Sequence, residues 1–132
     1  MYVLVMGCGR SGSYLANQLS KSGEDVVVID KSSTSFKRLS AEFTGFTING
    51  DATEIEILKS AKIDKADVVV ITTNDDNVNA MIAQIASELY KVPKVMVRLL
   101  DPEKEVIYKD LNVITMSPTN LLVDKFKKEI IG

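Results

Sequence analysis

The stretch VMGCGRSGSYLANQL, Val5–Leu19, sets an apolar run against a Gly-Cys-Gly-Arg-Ser-Gly loop and then a helical pattern. Gly7, Gly9 and Gly12 occupy the three glycine positions of G-x-G-x-x-G. Gly7 permits the tight turn out of a strand, and Gly9 leaves room where a pyrophosphate approaches. Gly12 lets the following helix pack closely on a sheet, with Leu15 and Leu19 turned inward. The free N–H groups and positive potential of that helix N-terminus favour a phosphate. A glycine triplet alone also occurs in ordinary turns, so the strand before it and the helix after it carry the weight.

The β-rich runs at Tyr2–Met6, Asp25–Ile29, Thr47–Ile48, Val68–Thr72, Val95–Val97 and Val113–Met116 predict six strands. Several are continuous apolar runs, as expected of a parallel sheet covered on both faces. Helical stretches of about ten residues or more are predicted between them. The clearest starts near Asp76 and places Val78, Met81, Ile82, Ile85 and Leu89 on one face, with Asn74, Asp75 and Asp76 as capping and first-turn residues and Pro93 stopping it. The alternation predicts an α/β fold, a Rossmann-like doubly wound parallel six-stranded sheet of order 3-2-1-4-5-6, in one domain over residues 1–132. Ligands of such sheets bind beyond the carboxyl ends of the strands, where the strand order reverses.

The loops at those ends carry the unusual residues. VVVID places Asp30 eighteen residues after Gly12. An acid there accepts hydrogen bonds from both hydroxyls of an adenosine ribose and repels a 2′-phosphate, favouring NAD, ATP or AMP over NADP. Lys31 works against that preference, because a lysine reaches such a phosphate; the other role open to Asp30 is a turn or cap. In NGDAT, Asp51 and Ala52 stand at the height of an adenine ring. Thr73 and Asn74 offer a hydroxyl and an amide across the switch point, Asn74 being equally suited to cap a helix. Arg10, inside the glycine loop, suits folding over a diphosphate, reaching a neighbouring subunit, or plain solvation. Arg98 ends strand five in an apolar run and needs a partner: Asp101, a ligand phosphate or a dimer contact.

Bulk composition narrows the classes further. The 132 residues are 45% hydrophobic and 26% charged with a net charge of -2, an ordinary globular balance that gives no support for nucleic-acid binding. No apolar stretch reaches membrane-spanning length, and YVLVMG follows the first residue without a basic leader, which predicts a cytoplasmic protein. The one cysteine, Cys8, permits no internal disulfide. There is no histidine, hence neither the commonest general base nor the commonest metal ligand, and no spacing suggests a metal site. Tyr90–Lys94 matches the Tyr-x-x-x-Lys spacing of short-chain dehydrogenases, but Pro93 falls between the two residues, which need to lie one helical turn apart. Cys8 is expected to pack beneath the loop rather than act as a nucleophile. No catalytic residue is expected.

Taken together, GCGRSG, VVVID, INGDAT, KADVVVITTNDDNVNAMIAQIA and VMVRLLDPE resemble the regulatory domain of bacterial and archaeal potassium transport systems, the TrkA-like Trk/Ktr N-terminal domain, also called the RCK or KTN domain. The resemblance covers nearly the whole chain, in order. It implies a regulatory domain that binds NAD(H) or adenosine phosphates (ATP, ADP, AMP) without catalysis. It further implies a ring on the cytoplasmic face of a membrane K⁺ channel or transporter, its shape set by the ligand. The family's binding positions fall on Gly7, Cys8, Gly9, Arg10, Ser11, Asp30, Thr73, Asn74 and Arg98, with Arg10 matching the arginine after the family's second glycine. Many members continue into a smaller C-terminal ligand-binding domain that these residues do not include. A homodimer or higher ring with a companion chain supplying that domain is therefore expected. The final segment, SPTNLLVDKFKKEIIG, predicts a helix from Pro118 with Leu122, Phe126 and Ile130 spaced four apart, broadened by Leu121, Val123 and Ile131. That stripe suits folding back on its own sheet or, as in the resembling family, crossing to a neighbouring subunit. The alternative function is a small NAD-dependent oxidoreductase or redox-sensing subunit.

Overall fold

The computed structural model describes residues 1–132. Six parallel strands run in the order β3-β2-β1-β4-β5-β6. They are β1 (Tyr2–Met6), β2 (Asp25–Asp30), β3 (Phe46–Asn49), β4 (Val68–Ile71), β5 (Lys94–Arg98) and β6 (Ile114–Met116). The doubly wound order is the expected one, and every strand limit agrees with the sequence reading to within one residue. Val3–Met6 and Val26–Ile29 are wholly buried, which explains why these runs are continuously apolar rather than alternating.

The register fixes the functional end of the sheet. Met6 pairs with Ile29 on one side and with Ile71 on the other, so β1, β2 and β4 finish level. The main chain continues the ladder one step further: Gly7 N–H donates to the Ile29 carbonyl at 2.8 Å, and Thr72 N–H donates to the Met6 carbonyl at 2.8 Å. The glycine loop, Asp30 and Thr72 thus emerge side by side.

The crossovers are less helical than predicted. α1 (Arg10–Lys21) has 12 residues, but α2 (Ile55–Ser60) has only 6. The β2–β3 and β5–β6 connections are 3₁₀ segments, Ser33–Arg38 and Pro102–Tyr108. In the first, Ser32 N–H donates to Asp30 Oδ1 at 2.8 Å and the Ser32 and Thr34 hydroxyls bond each other at 2.8 Å. Such local side-chain bonds compete with an α-helical ladder.

α3 (Asp76–Gln84) continues through a π-helical turn, Ile85–Leu89. Its buried face is Asp76, Asn79, Ile82, Ala83 and Ala86. Of the predicted face, Val78 and Ile85 are half-buried, while Met81 and Leu89 are 52% and 62% exposed. That corrects the expected face for two physical reasons. Asp76 and Asn79 turn inward to bond backbone, and the wider π turn rotates Leu89 out of line. Of the three capping and first-turn residues read from the sequence, Asp75 is the cap, accepting Asn77 N–H at 2.9 Å and Val78 N–H at 3.2 Å, and Asn74 is not.

The two faces of the sheet are unequal. A core of 19 buried residues lies under α2 and α3, and one of 6 lies under α1. α4 (Pro118–Ile131) is capped by Ser117, whose hydroxyl accepts Asn120 N–H at 3.1 Å, and buries no residue. Leu122, Phe126 and Ile130 are exposed, so the stripe does not fold back on its own sheet. No helix is long and apolar enough to cross a membrane.

Candidate functional site

At the carboxyl ends of β1, β2, β3 and β4 opens a cleft of about 480 Å³. Of the residues predicted from sequence, it is lined by Gly7, Gly9, Asp30, Lys31, Asp51, Ala52, Thr73 and Asn74. Cys8, Arg10, Ser11, Gly12 and Arg98 lie outside the lining. Its apolar side comes from Ile29, Val78 and Ile82, and its opposite rim from Ser35 and Arg38.

Each glycine of the loop has a distinct physical role. Gly7 has φ +106°, a conformation that L side chains rarely adopt. A Cβ on Gly12 would stand 1.9 Å from the Gly7 carbonyl oxygen, so only glycine lets α1 sit this close to the loop. A Cβ on Gly9 would meet nothing within 4 Å, because Gly9 faces the open cleft. Gly9 also caps α1 without any side-chain bond to the first-turn amides. The N–H groups of the first turn therefore remain available to an anion.

Asp30 is held from both sides. Its Oδ2 accepts Cys8 N–H at 2.7 Å and its Oδ1 accepts Ser32 N–H at 2.8 Å. The carboxylate thus both fixes the glycine loop and serves as the turn residue of the β2 end, and its further lone pairs remain for ligand hydroxyls. Asp51 accepts Thr53 N–H at 2.9 Å and the Thr53 hydroxyl at 2.7 Å. These bonds, with Lys31 3.8 Å away, hold its carboxyl below the usual range. Lys31 is thereby paired within the protein.

Cys8 is completely buried, and its Sγ–H donates to the Ser35 carbonyl at 3.4 Å. Burial, then the neighbouring Asp30 charge, push the thiol pKa up, while Arg38 opposes them. A raised pKa leaves an unreactive thiol, in keeping with a packing role. Arg10 is exposed at the start of α1.

Arg98 finds neither Asp101 nor any other carboxylate. Its Nη2 donates to the Thr72 carbonyl at 2.7 Å, the Thr73 carbonyl at 3.1 Å and Asn74 Oδ1 at 3.0 Å, and its Nη1 to the Ser11 hydroxyl at 3.3 Å. The expected ion pair is replaced by carbonyls that tie the β4 loop to the first turn of α1. Asp101 instead caps the next 3₁₀ segment, accepting Glu103 N–H at 3.0 Å. Tyr90 ends the π turn and Lys94 begins β5, so the Tyr-x-x-x-Lys spacing does not lie on one helix.

Two residues that sequence reasoning missed brace this end of the sheet. Asn79 donates to the carbonyls of Thr73 at 3.1 Å and Arg98 at 3.3 Å, and its Oδ1 accepts the Thr73 hydroxyl. Asp76 accepts the N–H groups of Leu100 at 2.8 Å and Asp101 at 2.9 Å. Their signal was present as polar residues three apart, in line with Ala83 and Ala86 on the inner face. Groups of three or more His, Cys, Asp or Glu placed to hold a metal are absent.

Residues 3–117 match the TrkA-N domain family. The chain is 33% identical over 131 residues to the Trk system potassium uptake protein TrkA of Streptomyces coelicolor, covering 99% of this chain and 59% of that protein. It is 35% identical over 113 residues to a Trk system potassium uptake protein TrkA homolog of Methanothermobacter thermautotrophicus, covering 86% and 52%. The chain spans about half the length of the curated relatives it matches. Among solved structures, the TrkA-N domain of the inner membrane protein ybaL from Escherichia coli superposes with a TM-score of 0.84 at 21% identity, covering 99% of this chain and 96% of that one. The GsuK channel bound to NAD gives 0.72 at 24% identity, covering 88% and 20%. These two likenesses are of fold.

Proposed function

The chain belongs to the TrkA-N domain family, and from that premise we propose that residues 1–132 are the nucleotide-binding domain of a regulatory subunit of potassium transport. The cleft takes NAD(H) or an adenosine phosphate, and the domain senses that ligand without turning it over. One observation carries this reading. The level ends of β1, β2 and β4 bring an uncapped helix N-terminus, an open Gly9 and the Asp30 carboxylate around a single cleft. Phosphates meet the α1 amides, the ribose meets Asp30, and the adenine lies toward Asp51 and Ala52. The related channel structures are described as bound to NAD and to ADP, and a Kef domain structure as bound to AMP, which supports this ligand class. The cleft's acids Asp30, Asp51 and Asp75 all accept backbone N–H groups of their own loops, and Asp30 one of the glycine loop as well, which suits holding a ligand better than moving protons.

The uncovered side of the sheet carries an apolar groove of about 520 Å³ lined by Val3, Leu15, Leu19, Val70 and Met96, with Leu121 at its edge. The apolar stripe of α4 is unpartnered in the same chain. We infer a homo-oligomer in which α4 of one copy covers the groove of the next, on the cytoplasmic side of a membrane K⁺ transporter.

Melting curves with NADH, NAD, ATP, ADP and AMP test the binding. A ligand at ~100 times its dissociation constant raises stability by ~2.7 kcal/mol. No shift with any of them, or the appearance of hydride transfer or hydrolysis, sinks the reading.

A further inference from the structure

We propose that Arg38, in the 3₁₀ segment after β2, is the phosphate-sensing residue of the cleft and sets its preference for nucleotides over nucleosides. This rests on the nucleotide reading above and adds to it a residue distant in sequence from the glycine loop.

Local geometry aims the side chain. In a 3₁₀ segment residues i and i+3 eclipse one another. Phe36 and Leu39 use that spacing to pack on the core beneath α1. Ser35 and Arg38 use it to face the cleft, and both line it. The Ser35 carbonyl accepts the thiol of Cys8, so this segment abuts the middle of the glycine loop. The backbone of Arg38 is anchored as well. Asn17 of α1 donates to the Arg38 carbonyl at 3.3 Å and accepts Ser40 N–H at 2.9 Å.

Charge accounting gives the side chain its task. The cleft lining holds three acids, Asp30, Asp51 and Asp75, and two cations, Lys31 and Arg38. Lys31 is paired with Asp51, and Arg98 is tied to carbonyls outside the lining. The Arg38 guanidinium makes no hydrogen bond or ion pair with the protein, although its charge reaches the Cys8 thiol in the glycine loop. A di- or trianionic ligand entering an acid-rich cleft needs a cation, and Arg38 is the one that lines it unpaired. The guanidinium fork suits phosphate oxygens bidentately.

Calorimetric titration of ADP and AMP, and NMR titration of adenosine into the millimolar range, test this on the wild type, Arg38→Ala and Arg38→Lys. The expected result for Arg38→Ala is a loss of about tenfold or more for ADP, with adenosine changed by less than about twofold. Arg38→Lys, which keeps the charge without the fork, is expected to fall between. The melting temperature without ligand should stay within ~2 °C of wild type, since the side chain has no protein partner. Equal losses for ADP and adenosine, or a loss for neither, overturn the proposal, as does a larger fall in the unliganded melting temperature. A wild type that binds none of the three overturns the nucleotide reading itself, a result distinct from loss of phosphate discrimination alone.

Discussion

The two faces of the sheet follow different rules. Under α2 and α3, 19 residues form a closed core, and the buried polar side chains beside it, Asp76 and Asn79, are satisfied by backbone groups. On the other face the buried apolar cluster numbers only 6 residues, and the cover over β4–β6 is missing while α4 stands exposed. Both faces belong to one sheet with one apolar pattern, so strand composition does not create the difference. The covering elements do. One face is completed within the chain, and the other is left open.

The most severe way to break the smaller face is Gly12→Val. A Cβ at 1.9 Å from the Gly7 oxygen meets backbone rather than a yielding side chain, so α1 must lift off the sheet. Overpacking of this kind is expected to cost ~4 kcal/mol, much of a typical domain's stability, read by urea denaturation. Gly9→Ala, whose new methyl meets nothing, should leave stability nearly unchanged while weakening nucleotide binding. Equal destabilisation by the two would mean that the loop packs differently from this arrangement.

On the closed face the matching change is Ile82→Ala. Ile82 is fully buried in the larger core, and truncation leaves a cavity worth ~3 kcal/mol. The contrast is Phe126→Ala on α4, 57% exposed, which should alter the stability of the isolated fold by less than ~0.5 kcal/mol. Its effect belongs to association. Light scattering at tens of micromolar should show Phe126→Asp, or a chain ending at Pro118, shifted toward monomer. A monomeric wild type, or an undiminished oligomer after truncation, removes α4 as the assembly element.

Much of this was legible in the sequence, for a physical reason. A parallel strand buried on both faces must be continuously apolar, and a glycine loop at a strand end announces itself by residue type, so β1, β2, β4 and the loop were readable. α3 was misread because hydrophobicity alone cannot show that Asp76 and Asn79 turn inward to satisfy carbonyl and amide groups from distant loops. Of the three partners open to Arg98, Asp101 is not the one found, because a search for opposite charge overlooks main-chain carbonyls. Arg38 was invisible as a cleft residue, since its placement depends on a 3₁₀ spacing where a longer helix was expected.

The smallest effect concerns the one clear imperfection of the larger core. Tyr108 is 4% exposed within it, yet its hydroxyl has no hydrogen-bond partner. Burial, and then the charge of Asp76, push its phenol up to about 12. A folded-state pKa above the ordinary value of about 10 makes the neutral phenol the form the fold prefers. Its contribution is therefore fully present below about pH 10 and is lost as pH rises through 10 to 12. Tyr108→Phe removes a buried unpaired hydroxyl and keeps the ring, so at pH ~7 it should be neutral or stabilising by up to ~1 kcal/mol. Its advantage over wild type should then widen between about pH 10 and 12, because phenylalanine has no proton to lose. Urea midpoints for the two proteins across that range measure both expectations. A clear loss at neutral pH would mean that the hydroxyl has a partner after all, and that the closed face depends on a bond at Tyr108.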